Sequence, residues 1–312
     1  MASTGSLWEK VLEEVYARMS SYVITVAIFI SIQAIVAYGL NIIVGYAGQI
    51  SLGHAAFFGI GAYSAAILAT KAGLSFWAAL PLVILITGTV GLILGSPSLR
   101  VKADFLAITT IGINFIVEAI FLYVPFFGGA LGIGGIPRVT LFGTRLFGST
   151  YLALCLACLA VVMFISWWFT KSWAGLACMA LREDETAASS MGISPVRFKL
   201  LAFVIGTAMA GLGGALYAHQ MMFIAPSDFG FPVSIMLLSI IVLGGMGTLW
   251  GPLVGAIILG ALPEVFRPFT DYRMLLYGVI LLLMIRFQPA GLLGEKSFIS
   301  TILSKTFGGE RS

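Results

Sequence analysis

From residue 19 to residue 70 the chain carries no Asp, Glu, Lys or Arg. Four further stretches share this property: those between Lys71 and Arg100, Arg145 and Lys171, Lys199 and Asp228, and Asp228 and Glu264. A helix needs roughly 20 predominantly apolar residues to cross a bilayer. Each stretch therefore holds one span, and the longest hold two or more. Composition agrees: of 312 residues 60% are hydrophobic and 10% charged, and the mean hydropathy is +1.06. Soluble domains carry about 25% charged residues, and a fold of this size cannot hide so much apolar surface from water. Lipid is the solvent. A membrane β-barrel would alternate apolar and polar residues over about ten positions, whereas residues 152–169 and 275–285 form unbroken apolar runs. The fold class is all-α, a polytopic helical membrane protein.

Breaking the chain at Gly, Pro and charge clusters predicts ten spans: 21–36, 38–52, 53–70, 76–95, 104–126, 150–169, 199–222, 232–249, 251–266 and 274–286. Residues 1–20 mix Glu9, Lys10, Glu13, Glu14 and Arg18 with apolar side chains, which reads as a short helix at the membrane interface rather than a signal peptide. Residues 21–290 form the transmembrane domain, 171–198 its charged loop, and 291–312 a tail. Lys and Arg gather in cytoplasmic loops. With ten spans and the loop 171–198 inside, twelve basic residues lie inside and five outside, and both termini are cytoplasmic. Merging 21–36 with 38–52 and 232–249 with 251–266 gives eight spans and a split of eight to nine, which is no bias. The net charge of +4 is modest and gives no reason to expect nucleic acid. Cys155 and Cys158 sit in an apolar run without His or carboxylate nearby and read as packing residues.

The densest charge lies in the loop. Leu176, Met179 and Ala180 recur at helical spacing, then come Arg182, Glu183, Asp184 and Glu185, then Ala187 and Ala188, and a stop at Gly192. Four charges within one turn are too costly in hydrocarbon, so this short helix lies outside the bilayer. Its pattern resembles the EAA-x-x-x-G coupling helix of ABC importer permeases. Ala187, Ala188 and Gly192 match, while Thr186 replaces the motif's Glu and Glu185 stands one position early. The stretches NIIVGYAGQISLGHAAFFGIGAYSAA, SLRVKADFLAITTIG, GGALGIGGIP and VLGGMGTLWGPLVGAIILG, in that order from Asn41 to Gly260, resemble the permeases of high-affinity branched-chain amino acid ABC importers, the LivM-like branch. Asn114 departs from that pattern, in which the resemblance leads one to expect Glu, although Glu118 lies one turn on.

The resemblance implies a complex of two homologous permease subunits, two ATP-binding cassette subunits and an extracytoplasmic solute-binding protein in the cytoplasmic membrane. It implies no cofactor in this chain, with ATP and Mg on the partner subunits. The chain has no G-x-x-x-x-G-K-[ST] phosphate loop. Energy would then enter through Arg182, Glu183, Asp184, Glu185, Ala187, Ala188 and Gly192. Members of the family carry leucine-type amino acids, urea, amides or aromatic solutes.

Candidates for the translocation path are polar residues in apolar surroundings. Asn41, Gln49, Ser51 and His54 cluster in a glycine-broken stretch, where unwound backbone is tolerated if it meets protein or water. The bland reading is hydrogen bonding between helices. Glu118 and Asn114 lie in the span 104–126, and Glu118 either marks a pathway or pairs with a donor such as Tyr123. His54 and His219 lack the ligands for a metal site. The glycines at 244, 245, 247 and 251 echo those at 45, 48 and 53. An ion-coupled carrier would need buried acids on several spans, and a lipid-modifying enzyme a clustered acid or His set; neither pattern is present.

Overall fold

The computed structural model describes residues 4–98, 103–141 and 143–265, with 275, 278, 279, 282, 286 and 291–293. The helices are α1 (Thr4–Leu40, prolonged by a π-helical stretch Asn41–Tyr46), α2 (His54–Thr70), α3 (Phe76–Ser98), α4 (Ala103–Tyr123) and α5 (Ser149–Lys171). They continue with α6 (Trp173–Glu183), α7 (Glu185–Ser190), α8 (Pro195–Met221), α9 (Phe231–Gly244) and α10 (Gly251–Val265). Among the described residues six helical segments are long and apolar enough to cross a membrane, and α2 and α10 are shorter apolar helices. The outer faces of α3, α4 and α5 expose Leu85, Ile93, Ile108, Phe164 and Trp168. A surface that apolar fits lipid rather than water. The chain is a multi-pass helical membrane protein. The expected span at 274–286 falls almost wholly outside the described residues.

Helix α8 is the axis of the bundle, packed by α1, α2 and α3. Its small residues explain why. A Cβ added at Gly39 of α1 would lie 2.4 Å from the Gly206 carbonyl oxygen, and one at Gly61 of α2 would lie 2.4 Å from the Gly211 Cα. Between membrane helices the attraction is dispersion, which grows as backbones approach, so glycine faces select these partners. The Tyr151 hydroxyl on α5 then donates to the Leu216 carbonyl at 2.7 Å, fixing α5 beside α8.

Two groups of contacts define the ends of the bundle. Ser21 and Thr25 share a cleft with Arg138, Phe147 and Gly148. At the other end of the same helix the Gly45 carbonyl meets Arg182. At the Arg138 end, the loop before α5 folds into short ribbons: β1 (Ile133–Gly134) pairs with β4 (Phe223–Ile224), and β2 (Thr140–Leu141) with β3 (Thr144–Arg145). The Trp77 indole donates to the Thr140 carbonyl at 2.9 Å. Helices α9 and α10 form an antiparallel hairpin, Gly244 lying against Gly251 and Gly255 against the Ile240 carbonyl.

Two expectations change. The expected break between 21–36 and 38–52 is absent: the helix runs on to Tyr46, its last six residues π-helical, and Gly39 within it serves a close helix contact. The separate interfacial helix at 1–20 is likewise continuous with that span. The expected tail 291–312 lies outside the described residues beyond residue 293. Ser21 lies at the Arg138 end, while Leu292 and Leu293 donate to the Leu243 and Gly244 carbonyls at the Arg182 end. The pair 232–249 and 251–266 does form two helices, parted by a turn at 245–250.

Candidate functional site

At the Arg182 end the chain leaves α1 in a π-helical stretch whose ring size frees carbonyls from the regular pattern. Asn41, its first residue, faces the turn between α9 and α10. Its amide nitrogen donates to the Thr248 carbonyl at 3.0 Å, and its amide oxygen accepts from the Gly247 N–H at 2.9 Å. The Tyr38 hydroxyl donates to the Leu249 carbonyl at 2.8 Å. The clasp leaves no room for side chains: a Cβ on Gly45 would stand 2.5 Å from the Gly247 nitrogen. The two glycine clusters that echo one another in sequence are thus packed together. Asn41→Ala strips partners from a donor and an acceptor inside the protein, at about 1–3 kcal/mol for each buried orphan. We expect a lower melting temperature in detergent, with Asn41→Asp, which keeps the acceptor, losing less.

Arg182 reaches this clasp from outside the bundle. Its guanidinium donates to the Gly45 carbonyl and fills the space beside Gly247, where a Cβ would come within 2.6 Å of it. Its stem runs under Gly48, where a Cβ would lie 2.9 Å from the Arg182 Cγ. Gly48 and Gly247 have φ of +66° and +74°, which L side chains rarely adopt. One cation thus bridges two tight turns that belong to different helix pairs.

The charged loop forms two helices where the sequence suggested one. The break is Asp184, whose carboxylate accepts from the Thr186 and Ala187 N–H groups at 2.8 and 2.9 Å and so caps α7. Gly192, with φ +86°, follows the end of α7. Ala188 is buried against the rest of the protein, while Glu183, Glu185, Ala187 and Met191 are exposed, Met191 by 83%. Glu185 pairs with Lys199 on α8 at 2.6 Å.

Between the π-helical stretch and α2, residues 47–53 form no regular helix. Gln49 donates to the Lys199 carbonyl at 2.9 Å, and the Leu52 N–H donates to the Thr110 hydroxyl at 3.0 Å. Gln49, Ser51 and His54 are buried together here. The Gln49 amide oxygen, the Ser51 hydroxyl and both His54 ring nitrogens find no hydrogen-bond partner among the described residues. Buried polar atoms are normally satisfied; the Tyr63 and Ser166 hydroxyls and the His219 Nε2 share this lack of a partner among the described residues.

Asn114 has a different task. The Ser234 hydroxyl donates to its amide oxygen at 3.3 Å and accepts from the Ala55 N–H at 3.0 Å, so Asn114 helps hold α4, α9 and the start of α2 together. Glu118, one turn on, makes no ion pair or hydrogen bond among the described residues; its carboxylate oxygens flank Gly230 at the start of α9. Tyr123 is exposed and does not pair with it. Sequence reading missed Tyr38, Ser234, Thr110 and Lys199, because each is an ordinary residue whose partner is distant in the chain. Only the glycine echo hinted at the clasp.

Residues 22–285 match the family described as branched-chain amino acid transport system / permease component. The LivM permease proteins of the high-affinity branched-chain amino acid transport systems of Salmonella typhimurium and Escherichia coli are each 38% identical over 86% of this chain and 69% of their own length. LivH of Salmonella typhimurium is 32% identical over 54% of each chain, and BraD of Pseudomonas aeruginosa 27% identical over 85% of this chain and 92% of its own. No solved structure matches. The chain belongs to the branched-chain amino acid transport permeases.

Proposed function

We propose that this chain is one permease subunit of an ATP-driven importer of branched-chain or related amino acids, set in the cytoplasmic membrane with its Arg182 end inside. A second homologous permease completes the membrane unit. Two ATP-binding cassette subunits hold ATP and Mg and hydrolyse it, and an extracytoplasmic binding protein delivers solute. The relatives' names supply the solute class. The observation that carries the coupling is Arg182, which links the exposed helices α6 and α7 to both glycine turns.

In this mechanism α7 and the exposed Met191 seat on the ATPase partner. Closure of the ATPases moves α6 and α7 as a unit, and Arg182 carries that motion to residues 45–48 and to the 245–250 turn. The Glu185–Lys199 pair and the Gln49–Lys199 contact transmit it to α8 and the non-helical segment. The bundle then exchanges an outward-open path for an inward-open one.

Labelling tests the contact. Burial pushes the Cys178 thiol up to about 12, so it stays protonated and inert. Met191→Cys in the assembled complex should crosslink to an ATPase subunit through a bifunctional maleimide. Modification of that cysteine only from the external medium would sink the orientation and the mechanism together. A charge swap gives a second result. Glu185 is half exposed, so the pair adds under about 1 kcal/mol of stability. Glu185→Lys should nevertheless reduce uptake severalfold, and Glu185→Lys with Lys199→Glu should restore much of it at unchanged melting temperature.

A further inference from the structure

Toward the Arg138 end, a cavity of about 160 Å³ opens between α1, α9 and the turn that precedes α9. Phe29, Ile32 and Val36 of α1 and Met236 and Leu237 of α9 make its walls apolar. Its polar lining includes Gln33, Tyr217 and Asp228. Asp228 Oδ2 accepts from the Ala225 N–H at 2.9 Å, whereas Oδ1 has no hydrogen-bond or ion-pair partner among the described residues. No Lys, Arg or His lines the cavity. Asp228 is half buried, and its unpaired carboxylate oxygen is an acceptor for a cationic group that enters the cavity.

We propose that this cavity is a subsite for the transported amino acid, holding its aliphatic side chain between α1 and α9 and its ammonium against Asp228. The assignment rests on the importer reading for the word transported, but not for the binding itself. Size supports it: a dry protein cavity of about 150 Å³ takes up a benzene-sized molecule, comparable in bulk to a branched aliphatic chain. Charge supports it as well, since the free Asp228 oxygen is an acceptor for N–H donors. Gln33 offers amide N–H groups to the solute carboxylate; its only polar contact among the described residues is a long one to the Met236 sulfur, at 4.0 Å. The site selects a class defined by an ammonium and a compact apolar group, and a polar or anionic solute gains nothing there.

The test is binding of radiolabelled L-leucine to the complete complex in nanodiscs, without nucleotide or binding protein. Isopentylamine, which keeps the ammonium and the aliphatic chain, should compete, and 4-methyl-2-oxopentanoate, which lacks the ammonium, should not. Asp228→Asn keeps an acceptor for the Ala225 N–H but removes the charge, and should weaken leucine binding at least tenfold. Leu237→Trp, which fills the cavity, should do the same. Both variants are checked for unchanged melting temperature, and loss of fold in one leaves the other to decide. Leucine binding undetectable at 10 mM, unchanged within twofold in the folded variants, or displaced equally by the oxo acid overturns the subsite. ATP-driven leucine uptake by the wild-type complex separates the two ideas. Uptake with unshifted variants removes the cavity and leaves the importer, while binding with shifted variants but no uptake does the reverse.

Discussion

Replacing Arg182 with alanine should lower amino-acid uptake by the reconstituted complex about 30-fold while ATP hydrolysis continues. The guanidinium makes one charge-assisted hydrogen bond, to the Gly45 carbonyl, and no other cation reaches the clasp among the described residues. A bond of this kind contributes about 1.5–3 kcal/mol. If it is made in only one of the two states that the transporter alternates between, its loss removes about 2 kcal/mol of coupling, which is roughly 30-fold. The clasp itself survives, since Asn41 and Tyr38 hold it from within the bundle. Assembly and melting temperature should therefore change little. Arg182→Lys is the informative companion. A lysine keeps the charge but not the planar fork that fills the gap beside Gly247, so it should recover only part of the uptake. Wild-type transport per ATP hydrolysed in the alanine variant would show that the link is ornamental.

That prediction could not have been written from the sequence, although its ingredients were visible there. Four adjacent charges placed Arg182 outside the lipid, and only the resemblance to importer permeases suggested a coupling role for its loop. The direction of Arg182 was not legible. The fold sets its guanidinium against Gly45 and Gly247, a contact between residues far apart in the chain. The same limit governs the helix count. Lipid enforces charge-free runs, so the class and most spans could be read directly. A glycine that lets two helices touch and a glycine that ends a helix look alike in sequence. A boundary was drawn between residues 36 and 38, whereas Gly39 just beyond it lies inside one continuous helix at a close contact. Asn41, Gln49, Ser51 and His54 were found because polar residues are scarce in such surroundings. Their division of labour was not legible: Asn41 is a clasp, while the other three sit at the unwound segment with orphaned polar atoms. It depends on partners far away in the chain.

The glycines on α8 carry the second large effect. A Cβ at Gly61 would lie 2.4 Å from the Gly211 Cα and 2.5 Å from its carbonyl oxygen, and one at Gly214 would lie 2.3 Å from the Phe58 carbonyl oxygen. These neighbours are backbone atoms of packed helices and cannot rotate aside. Relief requires α2 and α8 to separate, and separation costs the dispersion contacts on which membrane helix pairing depends. Overpacking a well-fitted core costs about 1–3 kcal/mol and occasionally more. Here a β-branched side chain adds two further carbons to a contact already closed to the first. Gly61→Val and Gly214→Val should therefore fail to yield monodisperse protein, and Gly61→Ala should fold with a melting temperature lowered by several degrees. Gly112 on α4 is the control, since nothing stands within 4 Å of a Cβ placed there. Gly112→Ala should be silent or slightly stabilising, because alanine is the better helix former by about 1 kcal/mol. Normal yield and stability for Gly61→Val would mean that α2 and α8 do not pack through these glycines. The position of His54, the first residue of α2, would then lose its physical basis.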